Sequence, residues 1–138
     1  MIQTTTEDTT KIDALNDLGW KLKYSKPDTS IILSEEALKM AKEIGDKKRI
    51  ADSYNNLGAY QYLKSNYSKA LEYYFKSLEI DKEMENKRGM ASSYNNIGLI
   101  YKDQSNYPKA LEYYFKSLEI DKQMDNKRGM ANCYNNIG

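Results

Sequence analysis

The sequence predicts an all-α solenoid of antiparallel helix hairpins, three hairpins followed by one unpaired helix. Three observations carry this prediction. Residues 54–93 and 94–133 are identical at 28 of 40 positions, and KALEYYFKSLEIDK at 69–82 returns unchanged at 109–122. Within each copy, small and apolar residues recur at steps of three and four, the beat that places them on one helix face. Nothing alternates with the period of two that a half-buried strand requires. A period near forty residues marks units that bury their faces only by stacking on one another.

Helices are expected near 10–24, 29–44, 47–64, 68–84, 87–104, 108–124 and 127–138. Residues 1–9 read as a polar, frayed leader, followed by units at 10–46, 47–86 and 87–126 and a partial unit at 127–138. The first unit is a weaker copy: Gly19 falls 39 residues before Gly58, and KMAKEIGDKKRIADSYNN at 39–56 runs in step with KEMENKRGMASSYNN at 82–96. KPDTS at 26–30 reads as a turn and a helix start. Gly45 suits a left-handed helix cap. Asp46, Asn86 and Asn126 stand where a side-chain oxygen caps the next helix. In the second unit, Ala51, Tyr54, Leu57, Gly58 and Gln61 mark the packed face of the first helix. Ala70, Leu71, Tyr74, Ser77, Leu78 and Asp81 mark that of the second. Pro108 fits the first turn of a helix, where its missing N–H costs nothing.

Composition narrows the function. Lys plus Arg number 21 and Asp plus Glu 20, a net charge of +1, so the basic excess of a nucleic-acid or anionic-membrane binder is missing. No apolar run approaches the roughly eighteen residues of a membrane span. MIQTTTEDTTKI lacks the basic and apolar regions of a signal peptide, which favours a soluble, cytoplasmic setting. Histidine is absent, removing the commonest general base and metal ligand. No cofactor, metal site or catalytic residue is expected. The one cysteine, Cys133, occupies the register of Ser53 and Ser93 and reads as a small packing residue.

These repeats resemble the tetratricopeptide repeat family. Gly58 is followed twelve residues later by Ala70, and Gly98 by Ala110, with Leu57 or Ile97 just before and Tyr54 or Tyr94 three before the glycine. Ser77 and Ser117 match the family's later small position; in the first copy Ser30 and Ala37 take these roles. The family's usual unit is about 34 residues, whereas this one is near forty, as in the long repeats of kinesin light chains and bacterial peptide-sensing regulators. The resemblance implies a right-handed solenoid whose first helices line a concave groove and whose second helices form the back.

The asparagine pairs then call for a reason. Asn is a poor helix former, yet Asn55, Asn56, Asn95, Asn96, Asn135 and Asn136 stand in mid-helix. By resemblance they face the groove, with Asn16, Asp17, Trp20, Asp52, Ala59 and Leu99 beside them. Amides spaced roughly 10 Å apart on packed helices offer donors and acceptors to the backbone of an extended peptide. At about 0.5–1.5 kcal/mol net per bond, three or four contacts make a micromolar binder. Two alternatives remain: bonding between repeats, and passive copying by duplication. The basic clamp with which related short repeats hold a terminal carboxylate is missing, since Asp52, Ser92, Asn16, Asn55, Asn95 and Asn96 stand there. The expected ligand is a neutral or basic protein segment rather than an acidic C-terminal tail.

Other features have plainer readings. KKR at 47–49 and the KR pairs at 87–88 and 127–128 are either a solvated edge or weak phosphate contacts. Tyr67 and Tyr107 are expected to plug the hairpin joints, and Tyr73 and Tyr113 are candidates for an exposed aromatic row on the back. Gly138 matches Gly58 and Gly98, but its partner twelve residues on is missing. The reading is of a fragment of a longer protein, with bacterial signalling proteins as candidate parents. Tyr134, Ile137 and Gly138 would then form a bare face that self-associates. The main alternative function is a spacer or oligomerisation module working through that face or the convex back.

Overall fold

The computed structural model describes residues 2–138, with side chains from residue 6 onward. Seven helices account for the described residues, with no strand among them: α1 (Ile2–Leu22), α2 (Pro27–Ile44), α3 (Lys47–Leu63), α4 (Tyr67–Glu83), α5 (Lys87–Asp103), α6 (Tyr107–Gln123) and α7 (Lys127–Ile137). The expected bounds are met within two residues except at the start. There α1 runs from Ile2 rather than from residue 10, and the Thr9 and Thr10 hydroxyls both donate back to the Thr6 carbonyl (2.9 and 3.1 Å), the local bonding open to threonine within a helix.

The joints are built as the sequence implies. Asp46, Asn86 and Asn126 each accept the backbone N–H three residues on, from Arg49, Gly89 and Gly129, at 3.1–3.2 Å. Gly45 is left-handed at φ 68°. The four joints that follow turn on the same conformation without glycine, at Ser65, Glu85, Ser105 and Asp125.

The chain divides into two compact units, residues 1–77 and 78–138, with α4 running through the division. In the first, α1 packs on α2 and α2 on α3 around Ile12, Ala37 and Ala41, with Leu15, Met40, Ile44 and Ile50 closing over them. The Tyr74 ring leaves no room at Gly58: a Cβ there would meet it at 3.0 Å. Buried serines tie the helices together, Ser30 donating to the Gly19 carbonyl at 2.6 Å and Ser77 to the Ala51 carbonyl at 3.1 Å.

In the second unit, α5 packs on α6 and α6 on α7. Ile97, Ile100, Ala110, Tyr114, Leu118 and Cys133 form its interior. Its logic repeats the first: Gly98 faces the Tyr114 ring, and Ser117 donates to the Ala91 carbonyl at 2.8 Å. Tyr54, Tyr74, Tyr94 and Tyr114 are all buried, as their spacing implies.

Two aromatic expectations need correction. Tyr113 is not part of an exposed row: it is buried, stacked on Tyr94 and Tyr101 at 6.0 and 5.6 Å. Tyr73 is half-buried against Tyr54 at 6.0 Å. The apolar stripe of the second helices is simply wider than one residue per turn. Tyr67 does pack at its joint, against Tyr62 at 5.9 Å. Tyr107 is exposed, because the register of Tyr62 carries Lys102.

Candidate functional site

Each unit carries its own cleft. In the first, a hollow of about 210 Å³ is lined by Asp13, Asn16 and Asp17 from α1 and by Asp52, Asn55 and Asn56 from α3. The three-and-four spacing brings each set to one helix face. Asn16 is buried, and its amide is spent inside the fold: Nδ2 donates to Ser53 Oγ and Oδ1 accepts from Ser34, both at 3.0 Å. It therefore buttresses the hollow and holds α1, α2 and α3 in register.

The charges around this cleft are unequally committed. Arg49 holds Asp13 with two parallel bonds of 2.8 and 2.9 Å and also reaches Asp46 at 2.9 Å, which pushes the guanidinium's own pKa up. Lys48 pairs with Asp52 at 3.2 Å, but both side chains are more than half exposed, so the pair holds weakly. Asp17 makes no ion pair among the described residues. Asn55 Oδ1 is buried and has no hydrogen-bond partner there, and an orphaned acceptor of this kind costs about 1–3 kcal/mol.

In the second unit, a cleft of about 450 Å³ runs between α5 and α7 over α6, lined by Arg88, Ser92, Asn95, Arg128, Asn132 and the buried Asp121, among others. Asn136 Nδ2 donates to Asn95 Oδ1 at 2.8 Å and ties α7 to α5. This is the bonding between repeats that was the alternative reading of the asparagines. A second hollow, about 330 Å³, is lined by Lys102, Tyr107, Leu111, Tyr114 and residues 135–138. Tyr134, also on α7, is 52% exposed, against 8% for its equivalents Tyr54 and Tyr94. The hydroxyl of Tyr114 is buried without a hydrogen-bond partner among the described residues.

The expected site residues thus fall into three places. Asn16, Asp17, Asp52, Asn55 and Asn56 share the first cleft, Asn95 belongs to the second, and Asn135, Asn136, Ile137 and Gly138 line the apolar hollow. Asn96, Ala59 and Leu99 are half-buried and line none of them. Trp20 is 42% exposed, with Lys23 Nζ 3.9 Å above its ring. Sequence reasoning passed over Arg88 and Arg128 as edge charges. The signal was there: one turn after the equivalent Lys48 stands an acid, Asp52, whereas Ser92 and Asn132 follow the arginines.

Cys133 is buried with its sulfur 3.4 Å from Ser117 Oγ, and burial pushes its thiol pKa up. No helix among the described residues is long and apolar enough to cross a membrane.

Profiles described as tetratricopeptide repeat match residues 25–83 and 91–124, together more than half of the chain. A search of curated protein sequences returns no significant match. Among solved structures, the BtubC (BKLC) protein of P. vanneervenii superposes with a TM-score of 0.82 at 21% identity, over 91% of this chain and 53% of its own. The tetratricopeptide repeat domain of Arabidopsis FLU gives 0.77 at 19% identity, over 84% and 98%. A signal transduction ATPase from Pyrococcus horikoshii with a tetratricopeptide repeat sensor gives 0.85 at 21%, over 94% of this chain and 20% of that protein. The chain thus spans about half of the first of these and a fifth of the last.

Proposed function

Because this chain belongs to the tetratricopeptide repeat family, whose repeats generally mediate protein–protein interactions, we propose that it is a non-catalytic scaffold binding an extended protein segment in its first cleft. One observation carries this reading. The buried Asn55 Oδ1 lacks a partner among the described residues, in a hollow it shares with the carboxylates of Asp17 and Asp52, so an open acceptor stands beside two negative charges. A backbone N–H completes Asn55, and a Lys or Arg side chain displaces Lys48 from its weak hold on Asp52. The ligand is accordingly a neutral or basic segment.

The test is a displayed random-peptide library panned against the chain, with the Asp17→Asn, Asn55→Ala, Asn56→Ala variant as control. Hits rich in Lys or Arg that disappear on the folded control support the reading. Hits indifferent to those substitutions sink it.

A second reading rests on the exposed face of α7. Tyr134, exposed where its equivalents are buried, fits self-association through α7. Sedimentation over a wide concentration range decides: Tyr134→Lys abolishes any dimer on this reading, and a chain monomeric throughout rules it out.

A further inference from the structure

We propose that Trp20 and Tyr24 form a seat for an arginine side chain of the bound protein segment, a seat that the chain's own Lys23 fills until the segment arrives. This rests on the protein-binding reading above and names a residue that the partner presents.

The two rings belong to the first copy alone. Trp20 stands in the last turn of α1 and Tyr24 in the turn that follows, 42% and 76% exposed. At the same registers the later copies carry Ala59 and Leu63, then Leu99 and Asp103. Stacking of the repeats therefore does not demand this aromatic pair. Trp20 is nevertheless held in place, because its ring leans on the fully buried Tyr60 at a centroid distance of 6.3 Å.

Lys23 shows what the surface takes. Its Nζ lies 3.9 Å from the centroid of the Trp20 ring and 4.9 Å from that of Tyr24. One ammonium is thus shared by two ring faces, whose quadrupoles attract a cation. Nζ also donates to the Trp20 carbonyl at 3.4 Å. That carbonyl is one of the last four of α1, where the helix dipole favours positive charge. Lys23 pairs with no carboxylate among the described residues, so these long contacts are its whole retention.

A partner's lysine would exchange one ammonium for another and gain little. An arginine gains twice. Its planar guanidinium stacks on the indole face, and the N–H groups at its edge remain available to an acid. Asp17 stands one turn before Trp20 on the same helix face and makes no ion pair among the described residues. This acid too is confined to the first copy, since its equivalents are Asn56 and Asn96. The one arginine of the first unit, Arg49, is committed to Asp13 and Asp46. The occupant accordingly comes from the partner.

Trp20 is the only tryptophan, so its indole N–H gives a single resonance that reports on the seat. The experiment titrates the full ¹⁵N-labelled chain with capped pentapeptides that differ only at the central residue: Arg, Lys or Gln. A saturable indole shift is expected with Arg, several-fold weaker with Lys and missing with Gln. Lys23→Ala is expected to tighten the Arg response about threefold by removing the competitor. Lys21→Ala removes the same charge from a side chain that meets neither ring among the described residues, and is expected to gain less. Tyr24→Ala, at a largely exposed position, is expected to weaken the response about threefold without threatening the fold. Equal shifts with Arg and Lys or with Arg and Gln, no saturable indole shift, equal gains in the two lysine variants, or a full response in Tyr24→Ala overturn the proposal. If the Arg peptide moves the amides of residues 52–56 and leaves the indole still, only this inference falls and the protein-binding reading stands.

Discussion

The Asp81 carboxylate occupies the space that a side chain on Gly89 would need: a Cβ there would lie 2.5 Å from Oδ2. The pair recurs as Asp121 and Gly129, at 2.6 Å. In the first copy the same two registers hold Ala41 and Arg49. A large group on one helix is matched by a small one on the next, in opposite senses. Asp81 is buried and bonded by Asn86 Nδ2 at 3.2 Å, so it cannot swing aside freely.

Gly89→Ala is therefore expected to destabilise, although alanine is worth about 1 kcal/mol over glycine in a helix. Overpacking costs about 1–3 kcal/mol, leaving a net loss near 1 kcal/mol by urea unfolding. Asp81→Ala together with Gly89→Ala should be less damaging than the two single changes summed, because the second methyl then has room. Strict additivity would mean the two positions do not share this space.

The left-handed joints offer stability. Glu85 and Asp125 stand at φ 54° and 52°, in the register where the first copy has Gly45 at 68°. An L-residue pays about 1–2 kcal/mol there, and glycine returns part of that as lost chain entropy. Glu85→Gly should gain about 0.5–1 kcal/mol in thermal or urea unfolding. Asp125→Gly should gain less, since aspartate tolerates this conformation better.

Acid stability should report on Asp46. Burial alone raises its carboxyl pKa, but hydrogen bonds from the Arg49 guanidinium and backbone N–H outweigh that and hold it below the ordinary 3.8. A depressed carboxylate stabilises the fold fully above its unfolded pKa and loses that contribution as pH falls through its folded one. Asp46→Asn keeps the helix cap, as Asn86 and Asn126 do, but removes the titration. The variant should lose less stability than the parent chain on acidification from about pH 5 to pH 3. Parallel acid curves would contradict the assignment.

Cys133 should behave as a core atom rather than a reagent. Its raised pKa and burial predict negligible reaction with a thiol-directed disulfide reagent until the chain unfolds. Cys133→Ser should cost under about 1 kcal/mol, because Ser53 and Ser93 already fill that register fully buried.

The fold was legible because the duplicated stretch marks the helices from α3 onward by repetition, and caps such as Asn86 and Asn126 repeat with it. The packed tyrosines followed from spacing alone. The sites were less legible because they depend on which neighbour each side chain meets. Asn16 stands in the register of Asn55, yet only the structure shows Ser34 and Ser53 consuming its amide. Arg88 looked like any surface base until the absence of an acid one turn on was set against Lys48 and Asp52. Tyr107 failed as a plug for the same reason: its expected partner is a lysine in that copy.

The opposed clefts bear on handling. A net charge of +1 and an isoelectric point near 7.7 suggest a chain indifferent to charged resins near neutrality. Yet Asp17 with Asp52, and Arg88 with Arg128, concentrate opposite signs in separate local fields. A resin samples fields within a Debye length, about 10 Å at 0.1 M salt, not the sum over the chain. Retention on both cation and anion exchangers at low salt, released by modest ionic strength, is the chromatographic signature such a surface leaves.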